Sequence, residues 1–263
     1  MSRKALFFDI DGTLLTDGSK ELPESAAESI VRARENGHLV FINSGRARCL
    51  MKEVEDCLAV DGYLCGCGTY IEIGGKTALR HVLSKKRRME LQHALLEYKM
   101  DGMLEGPSGC FVCAGASHTA EMEHVKKMVA RSNALFETDW LTQAVPFDKF
   151  CALTTKESDV PGFLSAMGPD MAPIDRGHGL YECVPAGFDK ATAMEFILRY
   201  FGIPWEESYA FGDSTNDLAM IKYARHGVVM GHHAKELEPY ADFITKDVED
   251  DGIAFALKEL GIV

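Results

Sequence analysis

Residues 4–15 read KALFFDIDGTLL, and the fold is decided around this stretch. The apolar run Ala5–Phe8 is too short for a helix, and it ends at two acids, Asp9 and Asp11, with Gly12 directly behind them. This pattern predicts a buried strand that ends in a turn. In an open parallel sheet, ligands bind in the crevice at the carboxyl ends of the strands, so the two acids stand where ligands bind. Taken alone, the stretch also fits an ordinary solvated turn.

A second acidic turn supports the first interpretation. Residues 212–217 read GDSTND and follow another short apolar run, Tyr209–Phe211. If the two strands are neighbours in the sheet, Asp9, Asp11 and Asp213 converge on one site. Carboxylate oxygens in such a cluster are the ligands that suit Mg²⁺, with substrate phosphate completing its coordination. We therefore expect a magnesium site at this edge of the sheet.

Composition limits the class of protein. The chain has 263 residues, of which 46% are hydrophobic and 26% charged, as in globular proteins, and its net charge is −12. Such an acidic chain is not expected to bind nucleic acid or an anionic membrane over a broad surface. Asp9 and Asp11 interrupt the first apolar run too soon for a signal peptide, and no apolar stretch of about 18 residues follows. We expect a cytoplasmic protein.

The chain contains eight cysteines, two pairs of which are closely spaced. Cys65 and Cys67 form one pair, and Cys110 and Cys113 form the other. Both pairs lie in apolar, strand-like sequence rather than in the turn-rich knuckle of a structural zinc site, and residues three apart on a strand face opposite sides. The sequence favours reduced, mostly buried thiols over zinc ligands or disulfides.

Strands and helices alternate after the first strand. Pro23 and Gly37 bracket a predicted helix over 24–36, and a second buried strand follows at 38–42. This strand ends in the sequence NSGR at 43–46, behind which a helical stretch is predicted through Leu58. Such a strand-to-helix turn can bind an anion through main-chain N–H groups and a serine hydroxyl, and an ordinary serine N-cap is the alternative.

The same alternation resumes in the last third of the chain, where we predict strands at 180–184, 209–211, 228–230 and 243–244 and helices at 216–224 and 250–260. A further amphipathic helix is predicted behind the PAGFDK segment at 185–190 and ends at Phe201. Alternating strands and helices imply a doubly wound parallel α/β sheet. The intervening block mixes strand-like runs at 110–114 and 149–155 with helices at 120–131 and 160–167, besides a charged helix capped by Ser84. We expect a core of residues 1–80 and 186–263 and an inserted α+β domain at 81–185.

Four separated stretches together carry a resemblance to a known family. They are DIDGT at 9–13, SGR at 44–46, Lys190 and GDSTND at 212–217, in the family's order. The chain resembles the phosphatases of the haloacid dehalogenase superfamily, in particular the Cof-type subgroup, whose large cap domain is inserted after the third core strand. At 67–69 the sequence CGT stands where the family often has Asn-Gly-Ala, which leaves the family's contact at this turn open.

The resemblance implies roles for the acids. Asp9 would be the nucleophile that forms an aspartyl-phosphate, and Asp11 would protonate the leaving oxygen and then activate water. One Mg²⁺ would be bound by Asp9, Asp213 and the main-chain oxygen of Asp11.

The same resemblance implies a set of phosphate-binding groups. Ser44, the N–H of Gly45 and Lys190 would hold the phosphate, and Asn216 would help to position it. Asp217 would orient Lys190 or a metal-bound water. A helix-surface lysine is the alternative for Lys190 on composition alone.

The predicted function is therefore a Mg²⁺-dependent phosphatase acting on small phosphorylated metabolites, with sugar phosphates as the expected class. Two alternatives use the same motifs. A phosphotransferase or phosphomutase would pass the aspartyl-phosphate to a sugar hydroxyl, and a non-catalytic regulator would bind phosphate and metal without turnover.

Overall fold

The computed structural model describes residues 2–16 and 21–263. The chain forms two compact units. The larger unit contains residues 1–45, 53–78 and 189–263, and the smaller contains residues 46–52 and 79–188. Residues 46–52 thus group with the smaller unit although they lie inside the predicted core segment. The interpretation of the smaller unit as a substrate-specificity cap stays a prediction.

The elements are numbered in chain order. The strands are β1 (Ala5–Phe8), β2 (Leu39–Asn43), β3 (Gly62–Cys65), β4 (Tyr70–Ile73), β5 (Lys76–Arg80), β6 (Asp101–Gly106), β7 (Gly109–Cys113), β8 (Leu135–Thr138), β9 (Lys149–Leu153), β10 (Met171–Asp175), β11 (Leu180–Pro185), β12 (Ser208–Gly212), β13 (His226–Val229) and β14 (Phe243–Ile244). The helices are α1 (Glu24–Glu35), α2 (Lys52–Glu55), α3 (Lys85–Glu97), α4 (Ala120–Ala130), α5 (Val160–Met167), α6 (Lys190–Phe201), α7 (Leu218–Tyr223) and α8 (Gly252–Glu259).

The larger unit is built on a sheet with the strand order β14-β13-β12-β1-β2-β3-β4-β5. The strands from β14 to β3 are parallel, and β4 runs antiparallel to β3. Helix α1 packs with α8, while α6 packs with α7, and both α1 and α6 contact β2. These two helical groups are the outer layers of a doubly wound sheet, so the predicted fold class is confirmed.

Strand β1 lies at the centre of this sheet, and all four of its residues are buried. Phe7 stacks on Phe41 of β2, and Phe8 stacks on Phe211 of β12. Apolar side chains on both faces are typical of a parallel strand covered by helices on both sides. Phe8 pairs in register with Phe211, so the acidic turns that follow the two strands begin at the same edge of the sheet.

The segment behind β2 differs from the sequence-based expectation. Instead of one helix through Leu58, it forms a 3₁₀ turn at Arg48–Leu50 and then the single-turn helix α2. Cys49 and Leu50 pack against an apolar cluster of the smaller unit, whereas Val54 is buried in the larger unit. Because its apolar side chains are drawn to two cores, the segment does not continue as one helix. The predicted helix N-terminus behind Ser44 was therefore wrong.

The smaller unit contains a sheet with the strand order β10-β11-β9-β6-β7-β8. Its pairs are antiparallel except for β7 and β8, which are parallel. One face carries an apolar cluster that includes Leu104 and Phe150, and the other carries a cluster with Met103 and Met122 of α4. Strands β6, β8 and β10 were not identified from the sequence, because none shows a clear alternation of apolar and polar residues.

All eight thiols are free, and four of them, Cys65, Cys67, Cys110 and Cys183, are buried. Cys110 belongs to the apolar cluster on one face of the smaller sheet, and Cys113 packs against the cluster on the other face. The two thiols therefore do not converge as zinc ligands would. In the described ranges, no helix combines the length and apolarity needed to cross a membrane.

Candidate active site

The site lies at the carboxyl ends of β1 and β12. Asp9 is the first residue after β1, and its N–H donates to the carbonyl of Phe211 over 3.0 Å, which continues the pairing of the two strands. Asp213 is the first residue after β12. The predicted convergence of the two acidic turns thus follows from the parallel neighbourhood of these strands.

Glycine at position 12 allows the two turns to approach. Gly12 has φ +78°, in the left-handed region that side chains disfavour, and a Cβ at this position would lie 2.6 Å from Oδ2 of Asp213. Thr13, the next residue, donates its hydroxyl to Oδ1 of Asp213 over 2.9 Å. The turn after β1 therefore holds the Asp213 carboxylate from two sides.

Three carboxylates meet here. Asp9, Asp213 and Asp217 each offer an oxygen, and these oxygens lie within 4.8 Å of one another. Lys190 is 1% exposed and places its ammonium 2.7 Å from Oδ1 of Asp9 and 2.5 Å from Oδ1 of Asp217. The alternative of a helix-surface lysine is therefore wrong, because the start of α6 directs this side chain into the acid cluster.

Asp217 has all of its oxygens engaged. Its Oδ1 accepts from Lys190, and its Oδ2 accepts the main-chain N–H groups of Asp213 and Ser214 over 2.9 and 3.0 Å. The carboxylate therefore orients both the lysine and the turn that carries Asp213. This geometry fits the orienting role expected for Asp217, which stays a prediction.

The pKa shifts of Asp9 and Asp213 indicate an excess of negative charge in the acid cluster. Burial, together with the charge of Asp217, raises the pKa of Asp9 to about 7, although Lys190 and the N–H of Ile10 act in the opposite direction. Burial and the charges of Asp217 and Asp9 raise the pKa of Asp213 to about 8. Burial alone would lower the pKa of Lys190, but the carboxylates of Asp217 and Asp9 outweigh it and raise that pKa.

The donor set fits a hard divalent cation. Lys190 pairs with Asp9 and Asp217, and Asp213 adds a third carboxylate, so these four groups together carry a net negative charge when all are ionised, and a bound cation would favour the ionised forms. Oxygen donors are what Mg²⁺ prefers. Asp9 and Asp213 could hold such an ion, since Asp217 is committed to Lys190 and to main-chain N–H groups. Asp11 is half-buried, and the ligand expected from it is its main-chain oxygen.

The other predicted phosphate-binding residues lie on the loops that follow β2 and β12, the two strands on either side of β1. Ser44 is buried directly after β2, with its N–H donating to the carbonyl of Leu64, and Gly45 follows it half-buried. Asn216 lies between Asp213 and Asp217 on the turn after β12, and its side-chain oxygen accepts the hydroxyl of Ser214 over 2.6 Å. Their roles toward phosphate stay predictions.

Two contributions to the site were not identified from the sequence. Asn43 is fully buried, and its amide donates to the main-chain oxygen of Lys190 over 2.9 Å, which ties the end of β2 to the start of α6. Gly68 lies in the turn at 66–69, where a Cβ would be 2.7 Å from the carbonyl oxygen of Asp189. For Asn43 the sequence offered one signal, which is that this residue stands at the end of a predicted strand. Gly68 contacts Asp189, which is far away in sequence, so no local sequence pattern predicts this contact.

A second group of buried charges lies in the smaller unit. Lys149 places its ammonium 3.1 Å from Glu105 and 2.8 Å from Glu182, and all three side chains are largely buried. They come from β9, β6 and β11, which are neighbours in the sheet. Burial, only partly offset by Lys149, raises the pKa of Glu105.

Comparison with known proteins identifies the family of the chain. The family model for haloacid dehalogenase-like hydrolases matches residues 6–257. The chain belongs to this family. It is 30% identical to YkrA of Bacillus subtilis over 267 residues that cover all of both chains. It is 27% identical over 287 residues to the 5-amino-6-(5-phospho-D-ribitylamino)uracil phosphatase YwtE of the same organism, with 98% of each chain covered.

Among solved structures, the haloacid dehalogenase sugar phosphatase BT4131, of subclass IIB, is similar over 99% of this chain and 100% of its own, with a TM-score of 0.83 and 26% identity. The family resemblance predicted from the four motifs is thus confirmed. The prediction that the chain is an enzyme of the phosphatase type is confirmed at the level of the family.

Proposed function

We propose that this haloacid dehalogenase-like hydrolase is a Mg²⁺-dependent phosphatase that hydrolyses small phosphorylated metabolites through an aspartyl-phosphate on Asp9. The observation that carries the proposal is the meeting of Asp9, Asp213 and Asp217 around the buried Lys190, at the ends of adjacent parallel strands. A carboxylate is an adequate nucleophile for phosphoryl transfer when the phosphoryl charge is neutralised by its surroundings.

In the first half of the reaction, a carboxylate oxygen of Asp9 attacks phosphorus. The bond from phosphorus to the leaving oxygen breaks as the bond to Asp9 forms, and Asp11 gives its proton to that oxygen. Lys190 holds Asp9 in one orientation and, with Ser44 and the N–H of Gly45, binds the phosphoryl oxygens.

In the second half, water attacks the phosphorus of the aspartyl-phosphate. Asp11, now ionised, takes a proton from the water, and the bond between Asp9 and phosphorus breaks to release inorganic phosphate. Asp9 is regenerated as a carboxylate next to Lys190, and Asp11 regains the proton that it gave to the leaving group.

Magnesium fits the donor set of the site. Asp9, Asp213 and the main-chain oxygen of Asp11 would hold the ion. When bound, it neutralises negative charge on the phosphoryl oxygens and the carboxylates. Asp217 remains on Lys190 and on the turn after β12, so it keeps Asp213 in place.

Sugar and polyol phosphates are the proposed substrate class. BT4131 is described as a sugar phosphatase, and YwtE is named for a phosphorylated ribitylamino compound. Both leaving groups carry several hydroxyls. We propose that the smaller unit is the cap that selects among such leaving groups.

A cytoplasmic location is part of the proposal. Eight free thiols in one chain are typical of a reducing compartment. The only partners that the proposed reaction requires are small phosphorylated metabolites.

The test is hydrolysis of p-nitrophenyl phosphate by the wild type and by Asp9→Asn, each with Mg²⁺ and with a chelator. We expect metal-dependent turnover that Asp9→Asn abolishes, while Asp175→Asn, which alters an exposed carboxylate of the smaller unit, retains it. Turnover that survives in Asp9→Asn would exclude the mechanism. A panel of sugar and polyol phosphates, with and without an acceptor sugar, then defines the substrate and separates hydrolysis from transfer.

A further inference from the structure

Two thiols that the reaction does not use are in contact within the smaller unit. The sulfurs of Cys49 and Cys110 lie 3.8 Å apart, although the residues are 61 positions apart in sequence. Cys49 belongs to the 3₁₀ turn Arg48–Leu50, and Cys110 belongs to β7. The contact therefore joins the segment behind β2 to the sheet of the smaller unit.

The two thiols have different surroundings. Cys110 is fully buried in a strand that pairs with β6 on one side and β8 on the other. Cys49 is half-buried and retains access to solvent. The hydrogen bond from Cys110 lowers the pKa of Cys49, whereas the contact with Cys49 and burial raise the pKa of Cys110. Of the two residues, Cys49 is thus the one with the lowered thiol pKa and the greater exposure, which are the properties of an attacking thiol.

We propose that Cys49 and Cys110 are a reversible oxidation site that takes a small disulfide, such as oxidised glutathione, and closes into an intramolecular disulfide. A contacting pair with one accessible, activated thiol and one buried partner has the arrangement of an attacking and a resolving cysteine. Disulfides in reducing compartments are usually transient and regulatory rather than structural.

The exchange balances in two steps. The Cys49 thiolate attacks one sulfur of the oxidised glutathione, which forms a mixed disulfide and releases one glutathione thiolate. Cys110 then loses its proton and attacks the Cys49 sulfur, which releases the second glutathione. Two protein thiols are oxidised, and one glutathione disulfide is reduced to two thiols.

The bond has a structural consequence. A disulfide brings the sulfurs about 1.8 Å closer than they lie in the thiol form. Cys110 is fixed by strand pairing on both sides, so the short turn at Arg48–Leu50 is the part that moves. This turn follows Ser44 and Gly45 closely along the chain, and small displacements of substrate-positioning groups reduce turnover strongly. We expect oxidation to lower phosphatase activity, a consequence that rests on the proposed function.

The bond itself is tested without activity. The reduced protein is incubated with oxidised glutathione, its remaining thiols are alkylated, and its peptides are mapped by mass under non-reducing conditions. We expect a cross-link between the peptides of Cys49 and Cys110 that dithiothreitol removes. Cys49→Ser and Cys110→Ser should each abolish it, and Cys57→Ser, which alters the exposed thiol, should retain it. Absence of the cross-link in the folded wild type would overturn the proposal.

Activity is measured on the same samples with p-nitrophenyl phosphate. We expect turnover to fall about tenfold or more on oxidation and to recover with dithiothreitol, while Cys49→Ser stays active under oxidant. A cross-linked enzyme with unchanged turnover would overturn the regulatory consequence. If the reduced protein hydrolyses no phosphate ester, the proposed function fails, and the peptide map still decides whether the oxidation site exists.

Discussion

Replacement of Lys190 by methionine is the most informative perturbation of the acid cluster. Methionine keeps an unbranched side chain of similar length but removes the ammonium that Asp9 and Asp217 share. The folded state of the variant must then hold three neighbouring carboxylates with no buried cation between them. We expect a loss of stability and of turnover together.

The magnitude follows from the two contacts. At an effective dielectric constant of about 20, the contacts at 2.7 and 2.5 Å provide about 6 and about 7 kcal/mol of Coulomb attraction before desolvation. Desolvation of the buried ammonium offsets much of this, and removal of one partner from a buried ion pair costs about 3–5 kcal/mol. We therefore expect Lys190→Met to lower the free energy of unfolding by about 3–5 kcal/mol. Loss of a charged group that stabilises the phosphoryl oxygens should lower turnover by about 10²–10³.

The assay is urea unfolding at pH 7 with a chelator, so that no bound cation masks the effect, followed by p-nitrophenyl phosphate hydrolysis with Mg²⁺. Lys156→Met, which alters an exposed lysine, is the matched control and should unfold like the wild type. Adding Asp217→Asn to Lys190→Met removes one of the unpaired carboxylates. The double variant should be more stable than Lys190→Met alone by about 1–3 kcal/mol.

Two results would refute this reasoning. If Lys190→Met unfolds at the same urea concentration as the wild type, the lysine does not hold the acid cluster together. If Asp217→Asn destabilises the wild type and Lys190→Met equally, the two side chains are not coupled. In either case Lys190 would have to act on substrate alone.

Three further predictions concern pH and the support of the site. The pKa of Asp9 is about 7 in the folded state against an ordinary 3.8, so the folded state binds more protons than the unfolded state between these pH values. With a chelator present, the protein should therefore lose stability as the pH rises from 5 to 8. An equal loss of stability in Asp9→Asn would contradict this assignment. Asn43→Ala removes the buried hydrogen bond to Lys190 and should cost about 1–3 kcal/mol of unfolding free energy and lower turnover, whereas unchanged urea unfolding and turnover would exclude a supporting role. Gly68→Ala places a Cβ against the carbonyl of Asp189 and should lower the free energy of unfolding by about 2 kcal/mol or more. Gly37→Ala, also at positive φ but with open space around it, is the control and should cost less. Equal melting temperatures of the two variants would show that the Gly68 contact is unimportant.

The sequence determined the elements whose signals are local. The apolar run before Asp9 specifies a buried strand, and Gly12 supplies the positive φ of the turn behind it. An amphipathic helix ending at Phe201 was predicted behind residues 185–190, and the structure has α6 from Lys190 to Phe201. Each of these signals lies within a few neighbouring residues, where backbone sterics and burial act directly.

The motifs also predicted which residues would converge. That prediction held only if the strands that carry the motifs are neighbours in the sheet. No local feature requires β1 to pair with β12, which is about two hundred positions further along the chain. The pairing follows from packing the apolar faces of both strands between two helical layers. The approach of Asp9 to Asp213 depends on that pairing, and the support from Asn43 depends on how α6 packs beside β2.

The tertiary structure alone decided the course of the segment behind β2. Its sequence predicts one helix through Leu58, yet Cys49 and Leu50 bury against the smaller unit and Val54 in the larger one. Competition between two cores outweighs a helix propensity worth only a few tenths of a kcal/mol for each residue. The same competition brings Cys49 against Cys110, a contact between residues whose separation in sequence hides it from any local pattern.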